Sequence, residues 1–203
     1  MVLIPVLLIA LFAAIAMAGE KHKGTLALGG VLAMTAASCI PAAAALTGTV
    51  VTRTYSFGSV FGDVTFRADG LTAWFVLLTC FTQVTAILYG RKYLEETRSS
   101  RSNLSLHYIS YLTNQAAMLG VYFSNHGLAF LFAWEVMALS AFILVIFEHG
   151  KMETLKAGIN YLIQSHVSIV FLSLGFLWVY TMTGSFDFTA ISQYTAAQPA
   201  EAG

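Results

Sequence analysis

The chain has 203 residues, of which 58% are apolar and only 10% charged. Soluble domains carry roughly 25% charged residues, so most of this surface does not face water. Ten basic and ten acidic residues give zero net charge, which removes the electrostatic basis for nucleic-acid binding.

Apolar stretches at 2–18, 25–46, 71–88, 105–123, 128–147 and 157–182 each approach or exceed the roughly 20 residues that cross a bilayer core. An isolated strand would leave its backbone groups unpaired in lipid, so these stretches predict helices. The fold class that follows is all-α: a polytopic membrane protein with six transmembrane helices in one domain over 1–185, then a polar tail over 186–203. The tail is expected to fray from Thr183. Stretch one has a second reading, because Ala16-Met17-Ala18 resembles a signal-peptidase site; no positive charge precedes it, which favours a retained helix.

The connection after stretch two reads as a β-hairpin, with Val50, Val51, Thr52 and Thr54 on one strand, a Gly/Ser-rich turn, and Val64, Thr65 and Phe66 on the other. Only residues 124–127 separate stretches four and five, so these two are an antiparallel pair. Lys21, Lys23, Arg91, Lys92, Arg98, Arg101, Lys151 and Lys156 fall in connections one, three and five, against Arg53 and Arg67 on the other side. That asymmetry places connections one, three and five in the cytoplasm and both chain ends outside. The expected location is the inner cell membrane of a bacterium or archaeon. Cys39 and Cys80 sit inside apolar runs with no metal-ligand spacing and read as packing residues.

Nine of the ten acidic residues fall in connections or at the ends of stretches; Glu135 does not. An acid at the centre of a lone membrane helix costs about 2.5–3.5 kcal/mol on insertion scales. Pairing or holding a proton relieves that cost. Glu135 is thus either a proton-relay element or an acid locked in a helix–helix hydrogen bond. In stretch six, Lys156, Asn160, Gln164 and Ser168 recur every four residues and form a polar stripe on one face. The stripe reads equally as a wet half-channel or as interhelical glue, and Lys156 also has the option of snorkelling to the interface. His166 points about 200° away from Gln164 and serves a proton pathway, packing or haem ligation. Against haem, His107 lies near the end of a stretch, and His126 and His149 lie in connections. Two weaker faces, Thr72, Thr79 and Gln83 on stretch three and His107, Ser110 and Asn114 on stretch four, favour helix–helix hydrogen bonding over a pathway. There is no phosphate loop, zinc helix motif or nucleophile elbow. No cofactor, metal or catalytic residue is expected, and any redox chemistry would belong to other subunits.

Three motifs carry a resemblance over roughly residues 60–185. Phe66-Arg67-Ala68-Asp69-Gly70 opens stretch three after the hairpin. Trp134-Glu135-Val136-Met137-Ala138-Leu139-Ser140 carries the buried acid. Lys156 to Leu172 includes Ser165-His166-Val167-Ser168. Together these resemble the antiporter-like membrane subunits of respiratory complex I, hydrogenase 4, formate hydrogenlyase and Mrp antiporters, with the hydrogenase-4 component B branch nearest. The resemblance implies that Glu135 occupies the fifth helix, where the family's glutamate pairs with a lysine of the seventh and helps drive ion movement. Family members often carry an acid where this chain has Ile169, and they continue into a lysine helix and a second repeat. The chain is therefore expected to be an N-terminal portion: a fragment, a truncated product or half of a split subunit. The function implied is coupling of redox energy to proton or cation translocation, with Glu135, His166, Lys156, Asn160 and Gln164 as pathway residues. The expected partners are other membrane subunits of a redox or antiporter complex, lipid, and protons or monovalent cations. The alternatives are a purely structural or assembly subunit and half of an Mrp-type antiporter.

Overall fold

The structure, a computed structural model, describes residues 3–58, 62–97, 103–148 and 150–197. Arg98, Arg101, His149 and the last six residues lie outside the described residues. Helices α1 (Leu3–Met17) and α2 (Glu20–Leu46) precede a hairpin of β1 (Val51–Ser56) and β2 (Asp63–Ala68). Helices α3 (Gly70–Thr97), α4 (Leu104–Phe123), α5 (Gly127–Val145), α6 (Met152–Thr183) and α7 (Phe188–Ala197) follow. Four of these, α2, α3, α5 and α6, are long and apolar enough to cross a membrane. Helix α4 is 20 residues long but carries His107, Asn114 and Gln115.

Local chemistry sets the boundaries. Asp69 caps α3, its Oδ1 accepting from the Thr72 backbone N–H at 3.0 Å and from the Thr72 hydroxyl at 3.1 Å. Asn103 caps α4 through the Leu106 N–H at 3.1 Å. Helix α6 ends where Gly184 takes a left-handed φ of 67° and donates to the Tyr180 carbonyl at 2.8 Å, a conformation that a side chain would strain. The hairpin pairs Arg53 with Phe66 and Tyr55 with Val64 in antiparallel register.

The core gathers around α2 and includes α1. Ile15 of α1 and Ala27 and Val31 of α2 are fully buried against Leu112 of α4, with Ile87 of α3 in the same cluster. A second cluster joins Ala42 and Ala45 of α2 to Ala68, Ala73, Val76 and Cys80. Helix α2 is central because its small residues let neighbouring backbones approach closely. Helix α6 is the peripheral one: its most apolar window has no buried residue, and Phe171 and Trp178 are largely exposed. The tail departs from expectation. Instead of fraying from Thr183, it turns at Gly184 and forms α7.

Candidate functional site

The site lies on the seam between α5 and α6. The two helices run antiparallel, and three contacts mark the seam from one end to the other: Gly127 against the Phe176 ring, Glu135 against His166, and Gly158 against Ile146 and Phe142. A side chain at position 158 would collide with Ile146, so the absence of a Cβ there sets how closely the helices approach.

At the middle of the seam, His166 Nε2 stands 3.0 Å from Glu135 Oε1. The other ring nitrogen, Nδ1, is 2.9 Å from the Leu162 carbonyl oxygen one turn back. A carbonyl only accepts, so Nδ1 carries a hydrogen. One proton then remains to be placed between Nε2 and Oε1. It resides on the carboxyl, which donates to a neutral imidazole, or on the ring, as an imidazolium facing a carboxylate. Both arrangements have zero net charge, which lowers the cost of holding an acid in a low-dielectric medium. Glu135 Oε2 is buried and has no hydrogen-bond partner among the described residues. The Glu135 side chain is 28% exposed and that of His166 48% exposed, so the pair sits at the rim of the seam.

The other residues of the sequence reading do not join this pair. Lys156, Asn160 and Gln164 are exposed on the opposite side of α6 from its contacts with α5. Among the described residues, no hydrogen bond or ion pair links their side chains to Glu135. The Ser168 hydroxyl donates to the Gln164 carbonyl at 2.9 Å. The faces on α3 and α4 are interhelical hydrogen-bonding surfaces. Thr79 donates to the Tyr122 hydroxyl at 3.1 Å, Gln83 approaches Met118 sulfur at 3.6 Å, and Asn114 donates to Ser140 Oγ and the Met137 carbonyl, each at 3.2 Å. His107 packs edge-on against Phe147.

Sequence reasoning identified both members of the pair but did not join them. The signal was present: residue 150, in the tight turn between α5 and α6, lies midway between positions 135 and 166. It missed entirely a polar clasp over the α4–α5 connection. Asn125 donates its side-chain amide to Asp187 Oδ1 and Thr189 Oγ1, both at 3.0 Å, and its backbone N–H to the Thr65 carbonyl at 2.9 Å. His126 pairs with Asp187 in a short antiparallel bridge. Burial pushes the His126 imidazole below its ordinary 6.5, against an opposing pull from Asp187. The clasp ties the hairpin to the neighbouring ends of α4, α5 and α6.

Residues 124–202 match the family described as NADH:quinone oxidoreductase/Mrp antiporter, TM. The chain is 29% identical over 133 residues to a protein named putative antiporter subunit mnhA2 from Staphylococcus saprophyticus, covering 64% of this chain and 16% of that protein. It is 28% identical over 130 residues to hydrogenase-4 component B of Escherichia coli, covering 64% of this chain and 19% of that one. This chain is thus similar to antiporter-like membrane subunits, with the family match confined to residues 124–202. Its fold matches a chain of the Mrp complex from Dietzia sp. with a TM-score of 0.73 and 18% identity, over 95% of this chain and 38% of that one. The chain spans under a fifth of these two curated relatives and under two fifths of the solved one. Its several long apolar helices make it a multi-pass membrane protein, and the family match falls on the segment that carries both Glu135 and His166.

Proposed function

We propose that this chain forms part of an ion-translocating subunit of a respiratory or hydrogenase-type membrane complex, in which Glu135 and His166 exchange a proton. The observation that carries the reading is the 3.0 Å contact between Nε2 and Oε1, with Nδ1 anchored on the Leu162 carbonyl. The anchor holds the ring so that only Nε2 faces the acid, and the pair keeps zero charge wherever its proton sits. Transfer within the pair leaves its net charge at zero, and a proton delivered to one member is balanced by one released from the other. Lys156, Asn160 and Gln164 supply polar groups on the far side of α6, where a wet path or a partner helix would meet them. In this reading six helices span the inner membrane of a bacterium or archaeon, with both described ends outside, as the distribution of Lys and Arg supports. Redox energy comes from partner subunits, and protons or monovalent cations are what moves.

The test is proton pumping by the assembled complex with Glu135→Gln, recording redox turnover and gradient formation in the same vesicles and assembly on a native gel. The expected result is normal assembly with the gradient per turnover lost or sharply reduced. An unchanged gradient makes Glu135 a packing residue and the chain a structural or assembly subunit. The similarity to an antiporter subunit supports a second reading, half of a cation/proton antiporter without redox partners. There an imposed sodium gradient would move protons in vesicles lacking any electron donor, and Glu135→Gln would abolish that movement.

A further inference from the structure

Under the hairpin, beside the α4–α5 seam, lies an apolar cavity of about 460 Å³. Its walls include Val64 and Phe66 of β2, Ala116 of α4, and Ala129 and Phe132 of α5. Its volume falls in the roughly 300–1,000 Å³ range of small-molecule sites. Three observations restrict what fills it. Phe132 is 63% exposed, so the cavity opens sideways, away from the helix core. At 1.5 Å per residue, Ala129 and Phe132 lie about 3–8 Å along α5 from Gly127, near the hairpin end of the membrane segment. The one polar side chain on the wall, Ser124, has its hydroxyl buried without a partner among the described residues. A buried hydroxyl left unpaired costs free energy, so an acceptor at that point would be favoured. Strand register supplies the last element: Arg53 pairs with Phe66, which puts the exposed guanidinium on the cavity side of the hairpin.

We propose that this cavity is a binding site for an anionic phospholipid. An acyl chain fills the Ala- and Phe-lined space, an ester carbonyl accepts from the Ser124 hydroxyl, and the phosphodiester pairs with Arg53. The order of the three features, apolar, then hydroxyl, then cation, follows the order of groups along a lipid from tail to head. A quinone fits less well, since its ring oxygens would meet a single donor. The site would fasten the hairpin to the outer membrane surface and steady the clasp above Glu135.

Native mass spectrometry of the purified full chain in detergent, titrated with palmitoyl-oleoyl phosphatidylglycerol or phosphatidylcholine, tests this. Wild type should retain phosphatidylglycerol at least about fivefold better than phosphatidylcholine. Ala129→Phe, which fills the cavity from α5, should remove both, and Ala116→Phe should repeat the result from the other wall. Arg53→Gln should keep phosphatidylcholine binding and erase the preference. Helicity by circular dichroism confirms that each variant folds. Equal retention of lipid by both Phe variants would overturn the proposal. So would displacement of the lipid by a short-tailed quinone, by inorganic phosphate alone, or by a partner helix seated in the cavity of the assembled complex.

Discussion

The shared proton between Glu135 and His166 predicts strong non-additivity. Opposite charges 3.0 Å apart attract by about 5 kcal/mol in an effective dielectric of about 20. Both side chains are partly exposed, at 28% and 48%, so screening reduces the coupling to about 1–3 kcal/mol. In rate terms that is roughly 5–150-fold. The perturbation is a double-mutant cycle of Glu135→Gln, His166→Gln and the combined variant, read as protons moved per redox turnover in vesicles. Each single variant should lose roughly that factor. The double variant should be no worse than the worse single, because removing either partner already ends the exchange. Exchanging the residues, with His at 135 and Glu at 166, should restore part of the activity. If the two single losses add to within about 0.5 kcal/mol in the double variant, the residues act independently and the shared-proton argument fails.

Three further outcomes follow from the packing and the caps. Gly158→Leu drives a side chain into Ile146 and Phe142, so it should destabilise the α5–α6 seam by about 1–3 kcal/mol and lower pumping with it; thermal unfolding in detergent measures the first and the vesicle assay the second. Asp69 is held below its ordinary 3.8 chiefly by the Thr72 backbone N–H, with Arg67 adding to the effect and burial opposing it. The stability this supplies is present above about pH 4 and is lost as pH falls through the lower folded value. Asp69→Ala should therefore cost about 0.5–2 kcal/mol at pH 7 and progressively less below pH 4. His126, pushed below 6.5 by burial, works in the opposite sense. The unfolded chain takes up a proton there before the folded one does, so stability falls as pH drops below about 6.5. His126→Gln should flatten that part of the curve in thermal unfolding from pH 7 to 5; an unchanged slope would show that the ring is solvated in the folded state.

What the sequence made legible was what hydropathy and local chemistry alone decide. Long apolar runs locate the helices and the β-branched strands locate the hairpin, although α3 runs on to Thr97, well past the apolar stretch that ends at 88. The anomaly of Glu135 was visible because an acid in an apolar run has few explanations. Which helix lies at the centre was less legible. Helix α2 is built from Gly and Ala, which carry little hydropathy signal and whose value lies in how close a neighbour comes. The stripe of Lys156, Asn160 and Gln164 was legible as a shared face, but periodicity does not report what a face meets, and the structure places it away from the α5 contacts. The clasp of Asn125, Asp187 and Thr189 was hidden for a related reason: Asn125 lies over 60 residues from the other two, and each alone reads as an ordinary loop residue.

The arrangement also constrains how the pair could work. A proton passing from Oε1 to Nε2 changes nothing beyond the pair, because the pair is neutral before and after. Net transport needs a third group that delivers a proton to one member or accepts one from the other. On the His166 side, Nδ1 is engaged by the Leu162 carbonyl and is a poor exit while that bond holds. On the Glu135 side, Oε2 is buried and unpartnered among the described residues. It is therefore the atom at which a donor or acceptor from outside the pair would meet the least competition. A cationic or hydroxyl-bearing group reaching Oε2 would favour the carboxylate and drive the proton onto His166. Its withdrawal would return the proton to the acid. The direction of transfer is thus set by what approaches Oε2, and the Leu162 anchor keeps the ring in place while it does.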